Sequence, residues 1–375
     1  MTAQSNIAVC RPLLPRAEAL MPYLRRADSE RRYSNHGPLS EELGQRLAMH
    51  FKLPDCHLVL ASNGTLAIVG ALLATAGRAR PAKPLCICPA YSFVATAVAA
   101  ASCGFTPFFA DIDATRIAMR PSDVLALPEL QRAGAVIAVG TYGQTPDAVA
   151  WDRFHRDTGI PVILDAAACF DTLGGIAMDR LSIPIAVSFH ATKTFSTGEG
   201  GAILCADPDM SMRVSRALNF GFFDSRDSIG PSINGKLSEY HADVGLAGLD
   251  GWAVKRRGFI AAARYYQSEA EASGLGRRIV TDGGHANPYA LFMAGSAGEA
   301  DCVEVILNAG VADTRRWYGG GLHRQPEFAN CPRGPLPVTG DIARRLIGLP
   351  MSCDLGQAEI ASIVKAAAAG VLAGG

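Results

Sequence analysis

Lys193 stands in "SFHATKTFSTGEGG" (residues 188–201), just after the apolar run "IPIAV", among hydroxyl, imidazole and glycine residues. A lysine on a solvated loop has no need of such neighbours. At the end of a buried strand its amine would be held where water is scarce, which is how a lysine becomes a nucleophile and a base. Ser188 and His190 alternate on one face of the preceding strand, so a hydroxyl and an imidazole converge with it. Three further stretches match this chemistry. In "ASNGTLAIVGALL", Ser62, Asn63, Gly64 and Thr65 lie where a strand hands over to a helix. Outward N–H groups and the helix dipole favour an anion there, and Gly64 permits close approach. In "VILDAAACF", Asp165 ends an otherwise apolar strand, where a buried carboxylate needs a partner or takes up a proton. In "PAYSFVATA", Tyr91 and Phe93 sit at another strand-to-helix junction, and one ring there can lie flat on a planar ligand.

Each feature alone has a structural explanation: an N-cap turn, a core ion pair, a satisfied core histidine, a solvated lysine, a packed ring. Jointly they describe one ligand. Pyridoxal 5′-phosphate (PLP) needs a phosphate cradle, a carboxylate on its pyridine nitrogen and a lysine for its aldehyde.

These stretches need a frame to bring them together. Near-continuous apolar strands at 58–62, 84–90, 106–112, 134–143, 160–167, 185–191 and 201–206 alternate with helices at 63–77, 93–104 and 149–159. That alternation predicts an α/β fold with a mostly parallel sheet between helices, and parallel sheets hold ligands at the carboxyl ends of their strands. Residues 11–32 read as an irregular lead-in and a helix, and 40–51 as an amphipathic helix. The pattern then changes to a long helix (251–274), a strand (287–295) and a helix (300–310). We therefore expect a large PLP-binding domain over 1–254 and a smaller α+β domain over 255–375, with "AAAAGVLAGG" as an Ala/Gly-rich tail.

Composition narrows the partners. Formal net charge is +0, with 35 basic and 35 acidic residues and no long block of either. Nucleic acid and anionic membranes are thus not expected partners. Apolar runs such as "VATAVAAASCGF" are too short for a membrane span, and the N-terminus lacks a signal-peptide pattern. The ten cysteines show no zinc spacing; the close pair Cys86 and Cys88 alternates along a strand. Such usage fits reduced, buried thiols in a cytoplasmic protein, with no metal site expected.

The chain also resembles the DegT/DnrJ/EryC1/StrS sugar aminotransferases, within the fold-type-I PLP enzymes, as a divergent branch. The likeness covers nearly the whole length. "RRYSNHGPLSEELGQRLA" is similar to that family's N-terminal segment, and "SNGTLAIVGALL" to its phosphate turn. "PAYSFVATAVAAASCGFTPFFADID", "SFHATKTFSTGEGGAI" and "INGKLSEYHADVGLAGLD" resemble its aromatic stretch, lysine segment and following loop and helix. "TRRWYGGGLHRQPEF" and "LPVTGDIARRLIGLPM" match its end. The lysine segment is the most specific of these.

The resemblance implies residue roles. Lys193 would bond the cofactor's aldehyde and later move the proton, Asp165 would hold the pyridine nitrogen, and Phe93 would stack on the ring. Gly64, Thr65 and the Leu66 amide, with Ser188, would meet the phosphate, and His190 would lie close by. Asn234 and Lys236 would reach the phosphate of a neighbouring subunit in a homodimer with shared active sites. Glutamate would be the amino donor and a nucleotide-linked keto-sugar the acceptor. Arg31, Arg32, Arg315 and Arg316 are candidates for the pyrophosphate or the glutamate carboxylate. Two positions depart from the family pattern: Ala168 replaces a Gln or His three places after the aspartate, and Gly140 replaces a His. Alternatives are a cyclitol or other keto acceptor, or a non-catalytic PLP-binding protein. A dehydratase of the same family would lack Lys193.

Overall fold

The computed structural model describes residues 6–54 and 57–374. Helices α1 (Ala17–Glu30) and α2 (Pro38–Phe51) precede β1 (Leu58–Ala61). Asn63 lies two residues after the strand. Its side chain accepts the Leu66 N–H at 2.8 Å and opens α3 (Gly64–Thr75). Strand–helix alternation continues through β2 (Leu85–Pro89), α4 (Ala95–Ser102), β3 (Thr106–Ala110), α5 (Pro121–Leu125), β4 (Ala133–Val139), α6 (Ala148–Thr158) and β5 (Val162–Asp165). Then come β6 (Ile185–Ser188), β7 (Gly201–Leu204), α7 (Pro208–Leu218), α8 (Glu239–Asp250) and α9 (Trp252–Ala272).

These strands form one seven-stranded sheet in the order β1-β7-β6-β5-β4-β2-β3. β6, β5, β4, β2 and β3 are mutually parallel, and β7 is antiparallel to both its neighbours. The strand period of two divides each strand between two cores. Cys86 and Cys88 face Ile68, Leu72, Val214 and Leu218 of α3 and α7. Leu85 and Ile87 share the other core with Leu43, Leu47, Trp151 and Phe154 of α2 and α6. Burial on both faces is why the strands read as unbroken apolar runs.

The last part of the chain builds a second, antiparallel sheet in the order β10-β9-β8 from β8 (Ile279–Val280), β9 (Ala290–Met293) and β10 (Leu346–Leu349). Helices α10 (Ala297–Asn308), α11 (Pro337–Arg345) and α12 (Gln357–Gly374) accompany it. Residue 255 lies in the first turn of α9. The run 366–374, expected as a plain tail, belongs to α12 instead. Alanine is the best helix former, and small residues let α12 approach α10 closely. A Cβ at Gly370 would lie only 2.6 Å from the Val303 Cα. The N-terminal lead-in also joins this region: Ile7 pairs with Ala312, and Cys10 with Met351. No helix among the described residues is long and apolar enough to cross a membrane.

Candidate active site

β5 and β6 end side by side, with Asp165 the last residue of one and Ser188 the last of the other. Beyond Ser188 the chain runs into a narrow hairpin. Phe189 donates to the Gly200 carbonyl and Ala191 to the Gly198 carbonyl, each at 2.8 Å. Gly198 turns the corner at φ +84°. Lys193 projects from this hairpin, with its N–H donating to His190 O at 2.8 Å. The side chain lines a small recess with Cys10, Pro288 and Met351, and Nζ has no hydrogen bond or ion pair among the described residues.

Glycines bring the hairpin and the α3 turn together. A Cβ at Gly201 would lie 2.8 Å from Asn63 O, and one at Gly64 would lie 2.7 Å from the Ser188 Cβ. Any side chain at 64 would fill the hollow between the first turn of α3 and the Ser188 hydroxyl. Amides in a first helical turn have no intrahelical partner. Those of Gly64 and Thr65 are available, whereas the Leu66 amide, expected at the phosphate, is already taken by Asn63 Oδ1.

Asp165 is 5% exposed. Its Oδ2 accepts from Thr96 Oγ1 at 3.1 Å and its Oδ1 from the Ala167 N–H at 3.2 Å. Burial pushes its carboxyl above the usual range, while the Ala167 amide, the Thr96 hydroxyl and the Lys193 ammonium pull it back. Of the two candidate rings, Tyr91 is buried in packing and Phe93 is 63% exposed, a free apolar face near the start of α4.

His190 lies beyond β6 proper, which stops at Ser188, and makes an isolated bridge to Gly198. Its N–H reaches Ser188 Oγ at 3.3 Å, Nδ1 is 2.9 Å from Thr192 Oγ1, and Nε2 is 3.7 Å from Glu199. Lys236 donates to Asn234 Oδ1 at 2.7 Å and stands 4.4 Å over the Phe220 ring. Between them, Gly235 O accepts the Ser62 N–H at 2.7 Å, tying this loop to the α3 turn of its own chain.

The four arginine candidates separate. Arg316 is held by Asp301, Glu304 and the Arg344 carbonyl, so it is a structural ion-pair centre rather than a ligand residue. Arg32 donates to His36 O at 2.8 Å, and Arg31 is an exposed residue ending α1. Arg315 has no carboxylate partner among the described residues, lies 4.9 Å over the Trp317 ring, and its charge reaches Cys10, as does that of Lys193.

Two free amides and a hydroxyl suit a phosphate. A buried carboxylate suits a ring nitrogen, an unpaired amine an aldehyde, and an exposed aromatic a flat ring; the donor set fits PLP. The family model described as "DegT/DnrJ/EryC1/StrS aminotransferase family" matches residues 16–368. The chain belongs to the DegT/DnrJ/EryC1/StrS aminotransferase family. It is a PLP-dependent transaminase. Protein Rv3402c of Mycobacterium tuberculosis is 31% identical over 352 residues, covering 89% of this chain and 82% of that protein. The dTDP-4-amino-4,6-dideoxy-D-glucose transaminase of Shigella dysenteriae is 34% identical over 272 residues, 71% of each chain. Among solved structures, DesI in the presence of its TDP-sugar product has a TM-score of 0.85 and 28% identity, covering 98% of this chain and 93% of that one.

The departures from the family pattern have local reasons. A Cβ at Gly140 would lie 2.5 Å from Gln144 O and 3.0 Å from Cys169 Sγ, so no side chain fits. Ala168 contributes a buried methyl. Thr96 was not foreseen as a partner of Asp165. Its only signal was a hydroxyl in the first turn of α4, four residues after Ser92, whose Oγ lies 2.9 Å from Thr96 Oγ1.

Proposed function

We propose that this transaminase moves the amino group of glutamate to the keto carbon of a nucleotide-linked deoxysugar. The observation that carries this is the unpaired Lys193 amine, on the hairpin that follows Ser188, whose charge reaches the buried Asp165 carboxylate, with Arg315 the one unpaired guanidinium of the Arg315–Arg316 pair. Bound to the protein, the cofactor supplies an electron sink for the pair left when a Cα–H bond breaks. Asp165 keeps a proton on the ring nitrogen and so strengthens that sink. The Gly64 and Thr65 amides and the Ser188 hydroxyl bind the phosphate. Phe93 covers one ring face and excludes water from it. Lys193 Nζ would take the Cα proton of the donor and deliver it, across the nitrogen, to the carbon that carried the cofactor's aldehyde; in the second half-reaction it would move a proton in the reverse direction. The Arg315 guanidinium, steadied on Trp317, donates two N–H groups to the carboxylate of the amino donor. Similar proteins include dTDP-sugar transaminases, which supports a nucleotide sugar as acceptor.

The same proposal includes a homodimer in which Asn234 and Lys236 approach the partner's phosphate site, a division into residues 1–254 and 255–375, and a cytoplasmic location. Incubation with glutamate and a panel of keto-sugar nucleotides, followed by mass spectrometry, tests the reaction. One aminated sugar nucleotide and one 2-oxoglutarate should form together; 2-oxoglutarate without any aminated sugar would move the acceptor to another class of ketone.

A further inference from the structure

Asp165 has two flanks. Toward β6 and β1 lie Ser188, Gly64 and Thr65. Toward β4 and β2, with Val139 paired to Asp165, lies a wall made by loops of both sheets. Tyr91 follows β2, Tyr142 follows β4, and Asn287 and Tyr318 come from the segments around β9 and β10. Tyr318 stacks on Tyr142 with centroids 5.2 Å apart and meets Tyr91 edge-on at 5.2 Å. Both Tyr142 (φ +53°) and Tyr318 (φ +70°) hold the left-handed backbone that side chains disfavour, and such strain gathers at functional sites.

The wall's polar hydrogens can be counted. Asn287 Nδ2 donates to Tyr142 O at 2.9 Å, and its Oδ1 accepts from the Tyr289 N–H at 3.0 Å. The Tyr142 hydroxyl donates to the Tyr91 oxygen at 3.2 Å. Ala168, beside Gly143 and Asn287, has only a methyl. Tyr91 and Tyr318 retain hydroxyl protons without an acceptor among the described residues. Tyr91 is fully buried against Tyr142 and Tyr318, and Asp165 is not among the charges that act on it. Tyr318 is partly exposed, and the Asp165 carboxylate does act on it. Burial holds its hydroxyl well above its ordinary value, so it keeps its proton at any working pH.

In PLP the phosphate arm and the ring hydroxyl stand on opposite sides of the nitrogen-to-aldehyde axis. A ring with its nitrogen on Asp165 and its phosphate toward Ser188 turns that oxygen to this wall. We infer that Tyr318 donates its phenolic proton, in a hydrogen bond, to the ring oxygen of the bound cofactor. The inference rests on the proposed roles of Asp165 and Lys193.

The test uses the full chain reconstituted with PLP, as wild type, Tyr318→Phe and Tyr142→Phe; both substitutions keep the rings that pack. Absorbance of the lysine-bound chromophore is titrated with pH, and PLP retention is read by equilibrium dialysis. A donor favours the oxygen's ionised form, so in Tyr318→Phe the midpoint should rise by about one pH unit and retention should weaken several-fold. Tyr142→Phe should leave both unmoved. An unshifted titration in a Tyr318→Phe chain that carries PLP on Lys193, or equal shifts in the two variants, overturns this inference alone. Wild-type protein that binds no PLP at Lys193 overturns the cofactor assignment beneath it as well.

Discussion

Asp243, on α8, is fully buried, and neither carboxylate oxygen has a hydrogen-bond partner among the described residues. Its neighbour Glu239 is satisfied, capping α2 by accepting the Leu39 and Ser40 N–H groups at 2.8 and 3.0 Å. Arg26, from α1, is paired with Glu42 of α2. Burial first, then the Glu239 and Asp28 carboxylates, push the Asp243 carboxyl from 3.8 to about 7 against a weaker pull from Arg26. The unfolded chain ionises this group near 3.8, so between the two values the folded protein binds the proton more tightly. Stability therefore falls as pH rises from about 4 to about 7 and is level above that. The shift of about three units (7 − 3.8), at ~1.4 kcal/mol per unit, sets a ceiling of ~4 kcal/mol. The effective dielectric of a protein interior, well above that of a dry medium, brings this to ~1–2 kcal/mol. Asp243→Asn removes the charge and keeps the shape. Urea unfolding at pH 8 should show the variant more stable by that amount, with about a third of the difference left at pH 5. Equal stability at pH 8, or a less stable variant there, would refute the burial of an unpaired carboxylate.

Other perturbations probe the site and the fold. Asp165→Asn should keep the fold and much of the PLP, yet lower transamination by about a hundredfold or more, because a neutral amide does not hold the ring nitrogen protonated; wild-type turnover would make Asp165 a structural cap. Borohydride reduction should fix PLP on the tryptic peptide containing Lys193, and Lys193→Ala should lose turnover by several orders of magnitude while retaining phosphate-held cofactor. Mapping of the adduct to another lysine would end the proposed mechanism. Gly370→Val should force α12 away from Val303 and cost about 1–3 kcal/mol, seen as a lowered melting temperature with unchanged PLP stoichiometry; an unchanged melting temperature would mean that the α10–α12 contact is not tight.

Much of the fold was legible in the sequence because buried parallel strands leave a strong local mark. "LCICP", "VILD" and "GAIL" are apolar on both faces, and helices with capping or glycine signals separate most of them. Chemical identity was legible for a similar reason. Asp165 ends β5, Gly64 opens α3, Phe93 stands just before α4 and Lys193 sits in the hairpin after β6, places where residue type alone carries chemical meaning. Proximity in space was not legible. That Asp165 is held by Thr96, 69 positions away, follows from β2 and β5 each standing beside β4. Arg315 and Arg316 are equivalent as letters, and only the partners on α10 make one an ion-pair centre and leave the other free. Leu66 lost its amide to a cap one turn away, and Tyr318 met Tyr91 and Tyr142 from a segment more than 170 positions further along the chain. Local pattern determined which groups this protein has available; long-range packing decided which of them are already hydrogen-bonded and which remain open to a ligand.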